Sequence, residues 1–209
     1  MSEYKAIFDK NIERVESLNA LYVKLKQDEQ KDSKDYKLTD ILRSEVVFLH
    51  SAFEEYFRCV LIEWLPIKAS DETLKEIPIS INAGRKAEKL FLSDLAHYRG
   101  KQIDDIIYES VAETMKLKSF NNEAEIKIWC NKIGISLNNF DKIKDVDKAV
   151  HRRHKIVHEA DTNRNKDGEG SKLQGIKPGD IQPWIVAYKE LVEFIDSIIC
   201  EWEKEECRD

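Results

Sequence analysis

The strongest apolar pattern in the chain lies between Leu38 and Trp64. Apolar side chains recur there every three or four positions, at Leu38, Leu42, Val46, Leu49, Phe53, Tyr56, Val60 and Trp64. This spacing predicts one helix of about seven turns with a continuous apolar face, which must be buried against other helices. We expect Thr39 to cap the start of the helix and Pro66 to end it, because proline cannot donate to the hydrogen-bond ladder.

Helical spacing continues through most of the remaining sequence. The other predicted helices cover approximately residues 4–27, 83–98, 102–117, 123–132, 140–161 and 180–205. A short strand is suggested around Pro78, because Ile77, Ile79 and Ile81 alternate there with other residues. The sequence therefore predicts an all-α fold, a bundle of about six or seven helices that forms a single domain over residues 1–209.

Composition and charge limit the classes of function. The chain has 209 residues, of which 35% are charged, and a formal net charge of −6. This negative charge argues against a protein whose whole surface binds nucleic acid, because phosphate binding needs a positive field. A local RNA site is still possible, since residues 151–155 contain no acid.

Cysteine usage and the absence of long apolar runs suggest a location. Cys59, Cys130, Cys200 and Cys207 are scattered, without the paired spacing of a zinc or redox motif. The start of the chain has no apolar leader, and no run approaches 18 apolar residues. We therefore expect a reducing, cytoplasmic compartment and no membrane insertion.

Residues 146–161 concentrate the side chains that can carry chemistry. Three His and two Arg lie within eight residues, at His151, Arg152, Arg153, His154 and His158. The three His fall within about 60° of one another on a helix, whereas Arg153 lies near the valine side formed by Val146, Val150 and Val157. We therefore expect Arg153 to point into a packed or partnered region. Residues 162–179, with four of the seven glycines, are expected to form a mobile loop.

This segment resembles the Rx4–6H motif of HEPN-domain ribonucleases. Arg153 and His158 are separated by four residues, and a polar His154 follows the arginine, as in the RiboL-PSP-HEPN subfamily. Residues 49–58 are similar to the long early helix of these domains, and residues 178–184 resemble the entry to their last helix. Arg152 also satisfies the wider spacing, with five intervening residues. We favour Arg153 because of the polar residue that follows it.

The chemistry of RNA cleavage by the substrate's own 2′-OH fits these side chains. One proton leaves the hydroxyl, another reaches the departing 5′-oxygen, and negative charge builds up on the phosphorane. His158 can perform a proton transfer, and Arg153 can contact the non-bridging oxygens in the transition state. No metal or other cofactor is required. The expected product is RNA with a 2′,3′-cyclic phosphate end.

The resemblance implies further roles and partners. HEPN proteins dimerise so that two motifs line one cleft, which implies a homodimer with a composite active site. His154 would support positioning, and His151, Arg152 and Lys155 would hold the RNA backbone. Glu54, which with Arg43, His50 and Arg58 flanks the apolar stripe of the long helix, is a candidate to face the site. The family also implies a toxin or phage-defence effector with a cognate antitoxin or defence-system partner.

Three other interpretations of the His/Arg cluster are open. The side chains could decorate a helix surface, with Glu54 paired to Arg58 in solvent. His151, His154 and His158 could bind a metal, although three ligands from one straight helix rarely converge on one ion. The chain could also be a non-catalytic HEPN module that binds RNA or a protein partner.

Overall fold

The structure is a computed structural model that describes residues 1–28, 38–79, 92–163 and 172–206. Within these ranges the chain forms eight helices and one pair of very short strands: α1 (Glu3–Asp28), α2 (Thr39–Lys68), α3 (Asp71–Leu74), α4 (Leu92–Ala96), α5 (Ile103–Lys116), α6 (Glu123–Lys132), α7 (Ile143–His158), β1 (Thr162–Asn163), β2 (Lys172–Leu173) and α8 (Pro178–Glu206). Because α3 and α4 span only four and five residues, six longer helices carry the fold. The predicted all-α class is confirmed.

The chain divides into two compact units. The first contains Met1–Tyr56, Asn121–Glu123 and Asn138–Asp209, and the second contains Phe57–Phe120 and Ala124–Leu137. Helix α2 runs without interruption from the first unit into the second. The prediction of a single domain is neither confirmed nor contradicted by this division.

The core of the first unit is built from one face of each long helix. Leu42, Val46, Leu49 and Phe53 of α2 are fully buried, as the spacing from Leu38 predicts. Helix α7 contributes Val146 and Val150, and α8 contributes Ile181, Ile185, Tyr188, Leu191 and Ile195. One expectation is wrong: Val157 is 47% exposed, because it lies in the last turn of α7 beyond the packed face.

In the second unit the end of α2 contacts α5 and the residues that follow α5. Phe57 meets Phe120 edge-on, with ring centroids 4.7 Å apart. Arg58 donates from Nε to the backbone oxygen of Met115 at 3.1 Å. The strand suggested near Pro78 does not form at Ile77 or Ile79, whereas Ile81 lies outside the described residues.

Two predicted helix ends are displaced in the structure. Helix α2 passes Pro66 and ends at Lys68, because proline in the last turn removes only one hydrogen bond and Ala69 still donates to Leu65. Helix α7 ends at His158, short of the predicted 161, since Ala160 and Asp161 take the left-handed conformation with φ of 49° and 52°. Thr39 is the first helical residue of α2, and its hydroxyl accepts a hydrogen bond from Arg43 at 2.6 Å.

The loop predicted over residues 162–179 is partly ordered. Thr162 pairs with Leu173 and Asn163 with Lys172 in an antiparallel ladder. Residues 164–171 lie outside the described residues, so their predicted mobility stays a prediction.

Candidate active site

Helix α7 presents two chemically different faces. Ile143, Val146, Ala149, Val150 and Arg152 are buried, whereas His151, His154, Lys155 and His158 are exposed. At 100° per residue the three His lie within about 60° of one another, and the centre of this group is about 120° from the centre of the buried side. The predicted clustering of the imidazoles on one face therefore appears in the structure.

Arg153 points toward α2, where it meets Glu54. Nη2 of Arg153 lies 4.0 Å from Oε2 of Glu54, and the two side chains are 17% and 11% exposed. Nε of Arg153 is buried and makes no hydrogen bond to any described residue. The guanidinium is thus held near a carboxylate while part of its donor capacity is unused, which suits a group that receives an anionic ligand.

His50 and Tyr188 form a second layer behind Glu54. Nε2 of His50 lies 3.5 Å from Oε1 of Glu54, and Nδ1 lies 2.8 Å from the hydroxyl of Tyr188. Burial raises the pKa of Tyr188 well above its ordinary value, and the negative charge of Glu54 raises it further. The phenol therefore keeps its proton and can donate it to Nδ1, which leaves the ring proton of a neutral His50 on Nε2, facing Glu54.

His154 and His158 adjoin each other on the exposed face of α7. Their ring centroids are 4.7 Å apart and their planes are inclined by 43°. Arg153 and His158, five positions apart, leave the helix axis in directions that differ by about 140°. One chain therefore presents the two motif side chains on different sides of α7.

Arg152 has a different environment from Arg153. Its Nη2 donates to Oδ2 of Asp161 at 2.8 Å and to the backbone oxygens of Gln174 and Gly175, each at 3.1 Å. Arg43 of α2 donates to the same Asp161 oxygen at 2.7 Å and to the oxygen of Gln174 at 2.9 Å. Burial lowers the pKa of Arg152, and Asp161 opposes the shift. We call this arrangement, made by Arg43, Arg152, Asp161 and the 174–175 backbone, the Asp161 clamp.

The family model of RiboL-PSP-HEPN matches residues 9–201. The chain belongs to this family. The predicted membership in the HEPN family is therefore confirmed. No curated protein and no solved structure matched the chain.

Membership in the HEPN family indicates a ribonuclease-like or nucleotide-related function and RNA binding. A family does not by itself establish a reaction, so the reaction must be argued from the side chains. In this HEPN chain the two neighbouring arginines differ, because Arg152 belongs to the Asp161 clamp and Arg153 faces Glu54. Arg152 is buried and its Nη2 already has three internal acceptors, which favours a structural role over the predicted contact with RNA.

The remaining predicted residues of the HEPN site are arranged as follows. His151 is exposed, and its Nδ1 donates to the backbone oxygen of Asp147 at 2.9 Å, which leaves Nε2 available. Lys155 is also exposed on this face. Glu54 faces Arg153 and His50, while Arg58 donates to backbone oxygens in the second unit. This geometry favours Glu54 as a neighbour of Arg153.

Two residues of the site were not identified from the sequence. In the sequence, Tyr188 lies in the apolar stripe of α8, and Asp161 is the last residue of the segment 146–161. A tyrosine in an otherwise aliphatic stripe is the one available signal, because a buried hydroxyl requires a partner. For Asp161, the corresponding signal is an acidic residue at the predicted end of the helix.

Two further properties concern ligands and membranes. Within the described ranges, no group of three or more His, Cys, Asp or Glu side chains could hold a metal ion. No helix in those ranges is long and apolar enough to cross a bilayer. No disulfide joins the described cysteines Cys59, Cys130 and Cys200.

Proposed function

We propose that this HEPN chain is an endoribonuclease that cuts RNA by attack of the substrate's 2′-OH, without a metal, leaving 2′,3′-cyclic phosphate and 5′-OH ends. The contrast between the two arginines is the observation that carries this proposal. Arg152 is buried and donates through Nη2 to Asp161 and two backbone oxygens, whereas Arg153 is partly exposed, has an unused buried donor and lies near a carboxylate. An arginine kept ready for an external anion fits stabilisation of a phosphorane.

His158 and His154 supply the proton transfers. Imidazole can both accept and release a proton near neutral pH, and two rings 4.7 Å apart offer an acid and a base in one place. In the proposed reaction one imidazole takes the proton of the 2′-OH as the new phosphorus–oxygen bond forms. The other gives a proton to the departing 5′-oxygen as the old bond breaks.

Glu54 acts through Arg153 and does not touch the substrate. Its carboxylate lies between His50 and Arg153, with oxygens 3.5 Å and 4.0 Å from their nearest nitrogens. This position restricts the rotamer of the guanidinium before substrate binds. Such ordering lowers the entropy that must be lost on reaching the transition state.

The complete site requires a second copy of the chain. Arg153 and His158 leave α7 in directions about 140° apart, so a phosphate held by one cannot readily reach the other within the same chain. A twofold pairing that covers the side of α7 on which Arg153 is partly exposed would bring His158 of one copy toward Arg153 of the other. We therefore propose a homodimer with a composite site, acting in the cytoplasm as a toxin or phage-defence effector with an antitoxin or defence-system partner.

A non-catalytic HEPN module that binds RNA or a protein partner is the second candidate. The inward direction of Arg153, toward Glu54 and away from His158, is the observation that favours it. In that case the Arg153–Glu54 pair would be a structural link between α7 and α2. Binding without cleavage under any condition is the result this candidate predicts.

The experiment that tests the proposal is incubation of the purified protein with mixed RNA, with and without EDTA. We expect cleavage in both conditions and 5′-OH ends that are open to polynucleotide kinase. His158→Ala should lose cleavage, whereas His97→Ala, an exposed histidine of the second unit, should retain it. Cleavage that stops in EDTA and returns with a divalent ion would overturn the metal-independent reaction.

A further inference from the structure

An open groove of about 760 Å³ lies beside the exposed face of α7, within the first unit. One wall is the outer face of α7, including Lys148, His151 and Lys155, and the opposite wall is the start of α8, including Trp184. This volume lies in the range of protein sites for small organic ligands. The groove is therefore large enough for a nucleobase with its sugar.

The floor of the groove is held by the Asp161 clamp. Arg152 lines the groove, and its guanidinium is fixed to Asp161 and to the oxygens of Gln174 and Gly175. Gln174 and Gly175 also line the groove, and the amide of Gln174 donates to the oxygen of Asp161 at 2.8 Å. These hydrogen bonds fix the segment between the two walls, so the groove exists before a ligand arrives and little ordering is needed for binding.

Trp184 gives the groove an aromatic surface. It is partly exposed in the second turn of α8, although its neighbours Ile181 and Ile185 are buried. An indole exposed in a groove offers a flat face on which a base can stack, and every base has such a face. Stacking requires that the base be unpaired, which selects single strands over duplexes.

The charges in the groove limit how many phosphates it can accept. Lys148 is paired with Asp145 at 2.7 Å, whereas Lys155 has no ion-pair partner in the described part of the chain. The carboxylate of Asp147 accepts from the amide of Glu123, and that of Asp180 accepts from the amide of Lys177. With cations and carboxylates in near balance, the groove suits one base and one flanking phosphate near Lys155.

The groove adjoins the proposed catalytic face. His151 belongs to the groove wall and shares one side of α7 with His154 and His158. At 1.5 Å per residue, His151 and His158 are about 10 Å apart along the helix. A strand that crosses the imidazole pair can therefore place a neighbouring nucleotide in the groove.

We infer that this groove is a substrate subsite that takes an unpaired RNA base stacked on Trp184, with its phosphate beside Lys155. The inference rests on the proposed ribonuclease function and specifies the substrate as single-stranded RNA near the cut. A peptide is a poorer occupant, because an aromatic wall facing lysine and histidine matches the stacking face and the anion of a nucleotide.

The test measures binding separately from cleavage. A fluorescein-labelled single-stranded RNA with 2′-O-methyl groups lacks the attacking hydroxyl, so anisotropy can report its binding to active protein. We expect Trp184→Ala to weaken binding about 5- to 100-fold, the range for one stacked base. Trp184→Phe should restore most of it, since it keeps an aromatic face. Lys155→Ala should also weaken binding, whereas Lys144→Ala, a lysine of α7 outside the groove, should not.

The possible outcomes separate the groove from the reaction. Binding of Trp184→Ala within twofold of wild type, with an unchanged melting temperature, would overturn the subsite, as would equal binding of duplex and single strand. If Trp184→Ala does not fold, the comparison of Lys155→Ala with Lys144→Ala decides whether the groove binds RNA, and equal binding by these two variants would overturn the subsite. If RNA binding depends on Trp184 but the protein never cuts RNA, the proposal of the subsite holds and the proposal of a ribonuclease is wrong.

Discussion

The hydroxyl of Tyr188 lies 2.8 Å from Nδ1 of His50, across 138 positions of sequence. The same histidine approaches Glu54 with its other ring nitrogen, and Glu54 approaches Arg153. This row of side chains links α8, α2 and α7 and ends at the arginine of the motif. The orientation of Arg153 thus depends on all three long helices.

Glu54→Gln tests whether the carboxylate orients Arg153. We expect RNA cleavage to fall about 10- to 100-fold, the range typical of a lost supporting contact, with a larger effect on kcat than on KM. The alternative, in which Glu54 belongs only to a surface pair, predicts a rate within about twofold of wild type. A cleavage rate near that of the wild type would show that Glu54 does not take part in the site.

Tyr188→Phe removes the hydroxyl that contacts His50 and keeps the buried aromatic ring. Nδ1 of His50 then has no partner inside the core, which we expect to cost about 1–3 kcal/mol of stability. Cleavage should also fall, because His50 is released behind Glu54. Urea unfolding and single-turnover rates measure the two effects, with Tyr108→Phe, an exposed tyrosine of α5, as the control. Unchanged stability and unchanged cleavage would show that the Tyr188–His50 contact does not matter.

The two neighbouring arginines should behave differently on substitution. Arg152→Ala leaves the buried Asp161 carboxylate and the Gln174 oxygen with Arg43 alone and removes the donor of the Gly175 oxygen, so we expect a loss of about 3–5 kcal/mol in unfolding free energy. Arg153→Ala should abolish cleavage with a much smaller loss of stability. Thermal and urea unfolding of both variants measure the difference, and the opposite ranking of stabilities would contradict the assignment of Arg152 to structure.

Much of this arrangement could be predicted from local patterns. Helix α6 occupies the predicted residues 123–132, because Gly134 follows with φ of 83°, a conformation that glycine adopts without strain. The inward position of Arg153 also followed from its angle relative to Val146 and Val150. Glu54 was a candidate to face the site, and in the structure it lies beside Arg153.

The Asp161 clamp and the Tyr188–His50 contact could not be predicted in the same way. The clamp depends on two non-glycine residues with positive φ that turn the chain after α7, and helical periodicity carries no information about such a turn. The Tyr188–His50 contact depends on the relative rotation of α2 and α8. A single sequence records which face of each helix is apolar but not which polar neighbours meet across the interface.

The buried carboxyl group of Glu45 should make the stability of the protein depend on pH. It is fully buried on α2, and burial raises its pKa from 4.5 to about 7, opposed by hydrogen bonds from Asn19. Since the folded state keeps a proton that the unfolded chain has lost, stability should fall as pH rises from about 4.5 to about 7 and remain lower above pH 7. Glu45→Gln should flatten this dependence and raise stability at pH 8 by up to about 3 kcal/mol.

Urea unfolding as a function of pH provides the measurement for Glu45. Glu13→Gln, an exposed glutamate of α1, is the matched control and should leave the profile unchanged. A Glu45→Gln variant with the wild-type pH profile would show that Glu45 is not the group responsible.

Complementation between two inactive variants tests the composite site most directly. Arg153→Ala and His158→Ala each lack one half of the proposed catalytic pair. When the two proteins are mixed and allowed to exchange subunits, half of the dimers contain one copy of each, and each of these has one intact site formed across the interface. We predict that the mixture recovers about a quarter of the wild-type cleavage rate, while each variant alone stays inactive. A mixture that stays inactive although sedimentation shows mixed dimers, or a wild-type protein that is monomeric at micromolar concentration yet cuts RNA, would contradict the account.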